Sequence, residues 1–254
     1  PLPRTAIMAA FAAAALAIAP AASRTGVLPP KPYAPVAITL PAASEDESLA
    51  RFRMQIIAVA KDRIYAELAR LVRPQGFFWG RDYDGRFDPR KPAVDNLAAA
   101  LALERHNGSG WELLAAFATE AAVEPLPSRP GVVCAPAHPT FEGTAFARLL
   151  DTTYTESLDW AYPRASQTPV RDLPQDDAAT IGKLGLHFVR LLGFQGPKRE
   201  LAPDRTQWAH VVVPDGRSGY VGPGRLLSLT TERLCYIKDL IAGWQIAGYV
   251  AGGD

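Results

Sequence analysis

Residues 168–184 read TPVRDLPQDDAATIGKL, and residues 208–221 read WAHVVVPDGRSGYV. Both stretches hold short runs rich in β-branched and aromatic residues, broken by Pro, Asp and Gly. Such runs predict strands at 168–171, 180–184, 208–213 and 218–221. Pro214-Asp215-Gly216 separates the last two, and Asp-Gly is a strong hairpin signal because both turn residues tolerate positive φ. Further strands are expected at 187–192 and 226–229. Many short strands joined by tight turns predict a small β-barrel. Beyond it, apolar positions recur at a period of two in Leu234 and Tyr236 and in Trp244, Ile246 and Gly248. That period of two predicts a terminal hairpin.

Upstream the periodicity changes. Leu49, Phe52, Ile56, Ala60, Ile64, Leu68 and Leu71 recur every three or four residues, which predicts one long amphipathic helix ended by Pro74. Ser44 and Glu47 have the spacing of a capping box for it. Shorter helices are expected at 97–103 and 111–122 and around Phe146, Leu149 and Leu150. Residues 76–92 (GFFWGRDYDGRFDPRKP) read as a hairpin or compact loop, and 124–139 as a Pro-rich crossing. The fold class expected is therefore α+β: a helical N-terminal part, a small barrel and an appended C-terminal hairpin. The divisions are an export signal at 1–21, a Pro-rich linker at 22–43, a helical domain at 44–163, and barrel plus hairpin at 164–254.

The export signal rests on Arg4 ahead of the run AIMAAFAAAALAIA at 6–19, with cleavage expected after Ala21 in an A-x-A context. The expected location is periplasmic or secreted, with membrane attachment only if the signal stays uncleaved. The 27 basic and 26 acidic side chains nearly cancel, leaving a formal charge of +1. That excludes the basic excess of a phosphate-neutralising nucleic-acid binder. The two cysteines cannot form a disulfide scaffold but can form one bridge. In an oxidising compartment, Cys134 and Cys235 are expected to pair and so lie close in space. Two buried free thiols are the alternative.

The β-rich region resembles the bacterial SH3-like (SH3b) domain over residues 168–229. Its landmarks appear in order: Val170-Arg171-Asp172-Leu173-Pro174, then Thr180-Ile181-Gly182-Lys183-Leu184, then Trp208-Ala209-His210-Val211. Asp215-Gly216 and Gly219-Tyr220-Val221 follow, with a closing strand at 222–227. The loop at 193–207 is longer than the family usually has there. The whole chain resembles, more loosely, exported bacterial proteins with a helical N-terminal part and an SH3-like C-terminal part. The resemblance implies a non-enzymatic module that binds peptidoglycan or an envelope protein or peptide. Tyr154, Tyr162, Arg171 and Tyr220 are the candidate contacts on barrel loops.

The chemical motifs are weaker. Cys134 and His138 stand in C-A-P-A-H but lack the sequence frame of cell-wall Cys/His peptidases. A wall hydrolase built on that pair, or on Asp82, Asp84 and Glu112, is the rival reading. Asp82, Asp84 and Asp88 alternate like calcium ligands, yet Arg81 and Arg86 intrude, so a solvated turn is expected. The histidines form no zinc motif. No cofactor and no metal is expected. Phe77, Phe78, Trp79, Tyr83 and Phe87 are read as core.

Overall fold

The computed structural model describes residues 31–80, 87–196 and 206–250. The expected export signal, Asp82, Tyr83, Asp84 and most of the long loop lie outside these. The chain is α+β, with five helices and three sheets among the described residues.

The first helix breaks where one long helix was expected. Helix α1 (Glu47–Asp62) stops at Arg63 in the left-handed region, φ 55°, and α2 (Tyr65–Leu71) resumes after it. Its N-cap is Asp46 rather than Ser44: the Asp46 carboxylate accepts from Leu49 N at 3.0 Å. A charged acceptor at the positive end of a helix outcompetes a hydroxyl two residues earlier. The Ser44 hydroxyl instead accepts from Asp46 N. Helices α3 (Ala93–Leu101) and α4 (Ser109–Thr119) complete the helical layer.

That layer packs on a five-stranded sheet. Its order is β2 (Phe78–Gly80), β14 (Gly243–Val250), β13 (Arg233–Asp239), β4 (Val132–Ala135), β3 (Glu124–Pro125). Leu49, Phe52 and Ile56 of α1 join Leu97, Leu114 and Phe117 against Leu234, Tyr236, Ile246 and Tyr249 of the sheet. The far face carries Phe78, Val132, Cys134, Cys235, Ala247 and Val250. The terminal hairpin, grouped by sequence with the barrel, is thus the middle of the helical layer's sheet. The reason is its composition: it is apolar on both faces, so it needs cover on both sides.

The second sheet has seven strands. Its order is β12 (Leu226–Ser228), β6 (Trp160–Pro163), β9 (Val189–Gln195), β10 (Trp208–Val212), β11 (Ser218–Val221), β7 (Thr168–Arg171), β8 (Thr180–Leu184). Ala161 and Leu226 at one end of this order share one apolar cluster with Val170 and Leu184 at the other. The sheet therefore curls around a common interior, though no hydrogen-bonded ladder closes it among the described residues. Its outer side is covered over β12, β6, β9 and the Val212 end of β10. There Trp160, Tyr162, Phe188 and Leu227 pack under Tyr33, Val36 and Ile38 and under Phe146 and Leu149 of α5 (Gly143–Thr153). A two-stranded pair, β1 (Ile38–Thr39) with β5 (Thr140–Phe141), fastens this cover.

Candidate functional site

The cover reaches Val212 at the end of β10, where the Tyr33 hydroxyl donates to the Val212 carbonyl at 2.8 Å, and beyond it three half-buried polar side chains line up across β10, β11 and β7. His210 stands opposite both Gly193 and Tyr220, and Tyr220 stands opposite Arg171. Strand alternation puts them on one face, because Ala209, Val211, Val221 and Val170 point inward. The His210 and Tyr220 rings stack, with centroids 4.7 Å apart and planes 17° off parallel. Burial holds the His210 imidazole below the usual histidine value. It stacks as a neutral ring at pH 7. The Tyr220 hydroxyl accepts from Gln195 Nε2 at 3.2 Å. Arg171 is oriented by donating to the Ala178 carbonyl at 2.7 Å. At Gly193, φ is 146° and a Cβ would meet nothing within 4 Å. The backbone there stands open beside the stacked pair. A neutral aromatic stack, a cation and an open backbone edge together suit a planar or peptidic group with an acceptor.

Of the four contacts read from sequence, the fold thus brings Arg171 and Tyr220 together. It does not add the other two. Tyr162 is 2% exposed, under the cover, and burial pushes its phenol upward. It is a core residue, because β6 is buried along its whole length. Tyr154 is 96% exposed at the C-cap of α5, on the element that covers the other end of the sheet. His210 and Gly193 were missed as partners. The signal was present in the strand pattern, since His210 shares the outward parity of Trp208.

A second polar cluster joins the two sheets. Glu124 of β3 accepts from the His138 backbone N–H at 3.0 Å and from its Nδ1 at 2.6 Å, and it pairs with Arg233 of β13. The His138 Nε2 faces the Leu229 carbonyl at 3.1 Å, just past β12. Glu120, at the C-cap of α4, holds Arg164 in a two-pronged ion pair at 2.7 and 2.9 Å, and its carbonyl accepts from Arg53. Burial pushes the Glu124 carboxyl up, but hydrogen bonds from His138 and the charges of His138 and Arg233 outweigh this and hold it below the usual range. Two arms cross between the layers, His138 to the Leu229 carbonyl and Glu120 to Arg164, while Glu124–Arg233 stays within the five-stranded sheet and Arg53–Glu120 within the helical layer. The arrangement fastens two layers; it presents no nucleophile.

Cys134 and Cys235 are joined in a disulfide, with Cα atoms 4.0 Å apart, closer than the 4.4–6.8 Å expected of a bridge. They are directly opposed in the β4–β13 ladder. The divisions read from sequence put Cys134 in the helical domain and Cys235 with the barrel, but the bridge lies within one sheet. It also removes the Cys134 thiol from the rival hydrolase reading. Glu112 is exposed on the first turn of α4, and Asp82 and Asp84 lie outside the described residues. Asp88 is held by Arg90, whose side chain and backbone N–H both donate to it and lower its pKa.

These features define an α+β protein with two large sheets, a two-stranded pair and a half-buried aromatic–cationic strip on its curled sheet. The chain matches no protein-family model, no curated protein and no solved structure. No helix among the described residues is long and apolar enough to cross a membrane.

Proposed function

We propose that this is an exported, non-catalytic protein whose seven-stranded sheet is an SH3-like module that binds a cell-envelope component, either peptidoglycan or a partner peptide. Support for the module comes from the sequence landmarks, which fall on β7, β8, β10, the turn after it, β11 and the run into β12 of one curled sheet. Support for binding comes from a single observation: past Val212, the last covered residue of β10, Gly193, His210, Tyr220 and Arg171 form a cross-strand row outside the cover cluster. A wholly structural face has no need of a stacked aromatic pair beside an open glycine backbone. Periplasmic or secreted location is part of the proposal and follows from the N-terminal sequence.

The test is retention on purified peptidoglycan, run beside an envelope crosslinking screen, with the wild-type chain and Tyr220→Ala. A stacked contact contributes about 0.5–1.5 kcal/mol. The variant should therefore bind a few-fold to tenfold more weakly. Absence of both retention and a crosslinked partner for the wild-type chain sinks the proposal. Peptidoglycan retention without a protein partner selects the wall as ligand, and the converse selects a peptide.

A further inference from the structure

The turn joining β13 to β14 carries Leu240 and Ile241 at its tip, and both side chains are fully exposed, at 103% and 98%. The tip is held rigidly. Strands β13 and β14 pair without a break in the ladder's last three steps, ending at Asp239 opposite Gly243. The Asp239 carboxylate accepts from the backbone N–H groups of Ile241 and Ala242 at 2.8 and 2.9 Å. Gly243 supplies the positive φ, 76°, that lets the chain return. One step below the tip, Lys238 stands opposite Trp244. Trp244 Nε1 donates to the Ser48 hydroxyl at 2.9 Å, and Lys238 reaches Asp46 at 3.2 Å with its ammonium 5.5 Å from the Trp244 ring centre.

We infer that this hairpin tip is a membrane-contact element that inserts Leu240 and Ile241 into the outer hydrocarbon of a lipid bilayer. Two arguments select lipid over protein. The first is area: two such side chains bury roughly 200 Å². A stable protein interface needs about 800 Å² per partner. The second is the order along the hairpin. Aliphatic side chains come first, then the Asp239–Gly243 pair, whose carboxylate is turned onto its own turn amides, and then a tryptophan and a lysine. That is the sequence of environments across a bilayer interface, where Trp sits at the headgroup level and Lys reaches outward to water. The charges around the belt are matched. Lys238 pairs with Asp46, Arg51 pairs with Glu47, and Asp239 faces its own turn amides and the charge of Arg73. The contact therefore needs no anionic lipid, and phosphatidylcholine suffices. This element is separate from the sheet-face strip and stands or falls without it.

The experiment uses the full chain carrying Ile241→Trp with vesicles of phosphatidylcholine brominated along the acyl chain. The fluorescence is compared with that of the unsubstituted chain, whose five tryptophans give the background. The readout is the depth of residue 241 itself, so an apolar N-terminal segment holding the chain on the vesicle does not imitate it. The added indole should be quenched strongly, and adding Leu240→Asp should remove at least tenfold of the inserted population. Both positions are exposed, so each variant should melt within about 2 °C of wild type. No quenching beyond background overturns the inference. So does quenching that survives Leu240→Asp.

Discussion

Replacing both cysteines by alanine isolates what the Cys134–Cys235 bridge contributes. The sulfurs join residues 101 apart in sequence. Closing a loop of about 100 residues removes enough unfolded-chain entropy to stabilise the fold by about 4.7 kcal/mol at 25 °C. Both residues are wholly buried. Losing two sulfurs from the packed far face of the sheet adds roughly 1 kcal/mol each. Alanine keeps the β4–β13 ladder, whose backbone bonds do not depend on the side chains. The total expected loss is therefore about 5–7 kcal/mol. For a chain of this size, each kcal/mol moves Tm by about 2–4 °C, so the midpoint should fall by about 10–25 °C. Equilibrium urea unfolding and thermal melting of the oxidised wild type and of Cys134→Ala/Cys235→Ala read this directly, and reductant should bring the wild type toward the variant. A loss below about 1 kcal/mol would refute the loop-closure reasoning and mean that the sheet already restrains these strands in the unfolded ensemble.

The remaining expectations concern the cluster between the sheets and the curled sheet. Glu124 has a folded pKa below its unfolded value, so its contribution is present above the unfolded value near 4.5 and is lost as pH falls through the folded one. Glu124→Gln should therefore lower stability near neutral pH, by about 3–5 kcal/mol since Arg233 is almost fully buried opposite it. It should also flatten the acid limb of a Tm-against-pH curve; an unchanged limb would contradict the assignment. Gly219→Ala places a Cβ 2.8 Å from the Arg171 carbonyl oxygen and 2.6 Å from a Val170 methyl. Thermal melting should show a loss of about 1–3 kcal/mol, and a neutral result would mean that β11 and β7 can separate freely. Tyr154→Ala should leave binding and stability within about 0.5 kcal/mol of wild type, since the ring stands in solvent. A binding defect there would move the ligand surface onto α5.

Strands with clean alternation and turn residues at both ends were legible in sequence. Strands β7, β8, β10 and β11 lie where the residues place them, because Asp-Gly and Pro punctuation marks their ends. The terminal hairpin was legible as a hairpin but not by its partner, since period two shows which face is apolar and not what covers it. Strand β6 carried no period at all: Trp-Ala-Tyr-Pro is buried on both faces, and a buried strand looks like any short apolar run. That miss misplaced Tyr162 as a surface contact. The break at Arg63 was hidden because apolar spacing continued through Ile64 and Leu68. Half of the binding row was readable, through the Arg171 and Tyr220 landmarks. Its other half depends on cross-strand register, which joins His210 and Gly193 to them from positions that are not neighbours in the chain.

The central place of β13–β14 in the five-stranded sheet bears on when the protein can fold. Helices α1 to α4 come from residues 47–119, yet the surface they pack on includes Leu234, Tyr236, Ile246 and Tyr249. Until residues 233–250 are available, those helices have no floor, and their apolar faces stay open. Folding from the N-terminus onward, the usual order for chains built of independent units, is closed to this one. The native contacts that complete the first layer span most of the sequence, which slows folding further. The helical layer therefore closes only after β13 and β14 are in place, whereas the curled sheet, built from residues 160–228, does not wait for them.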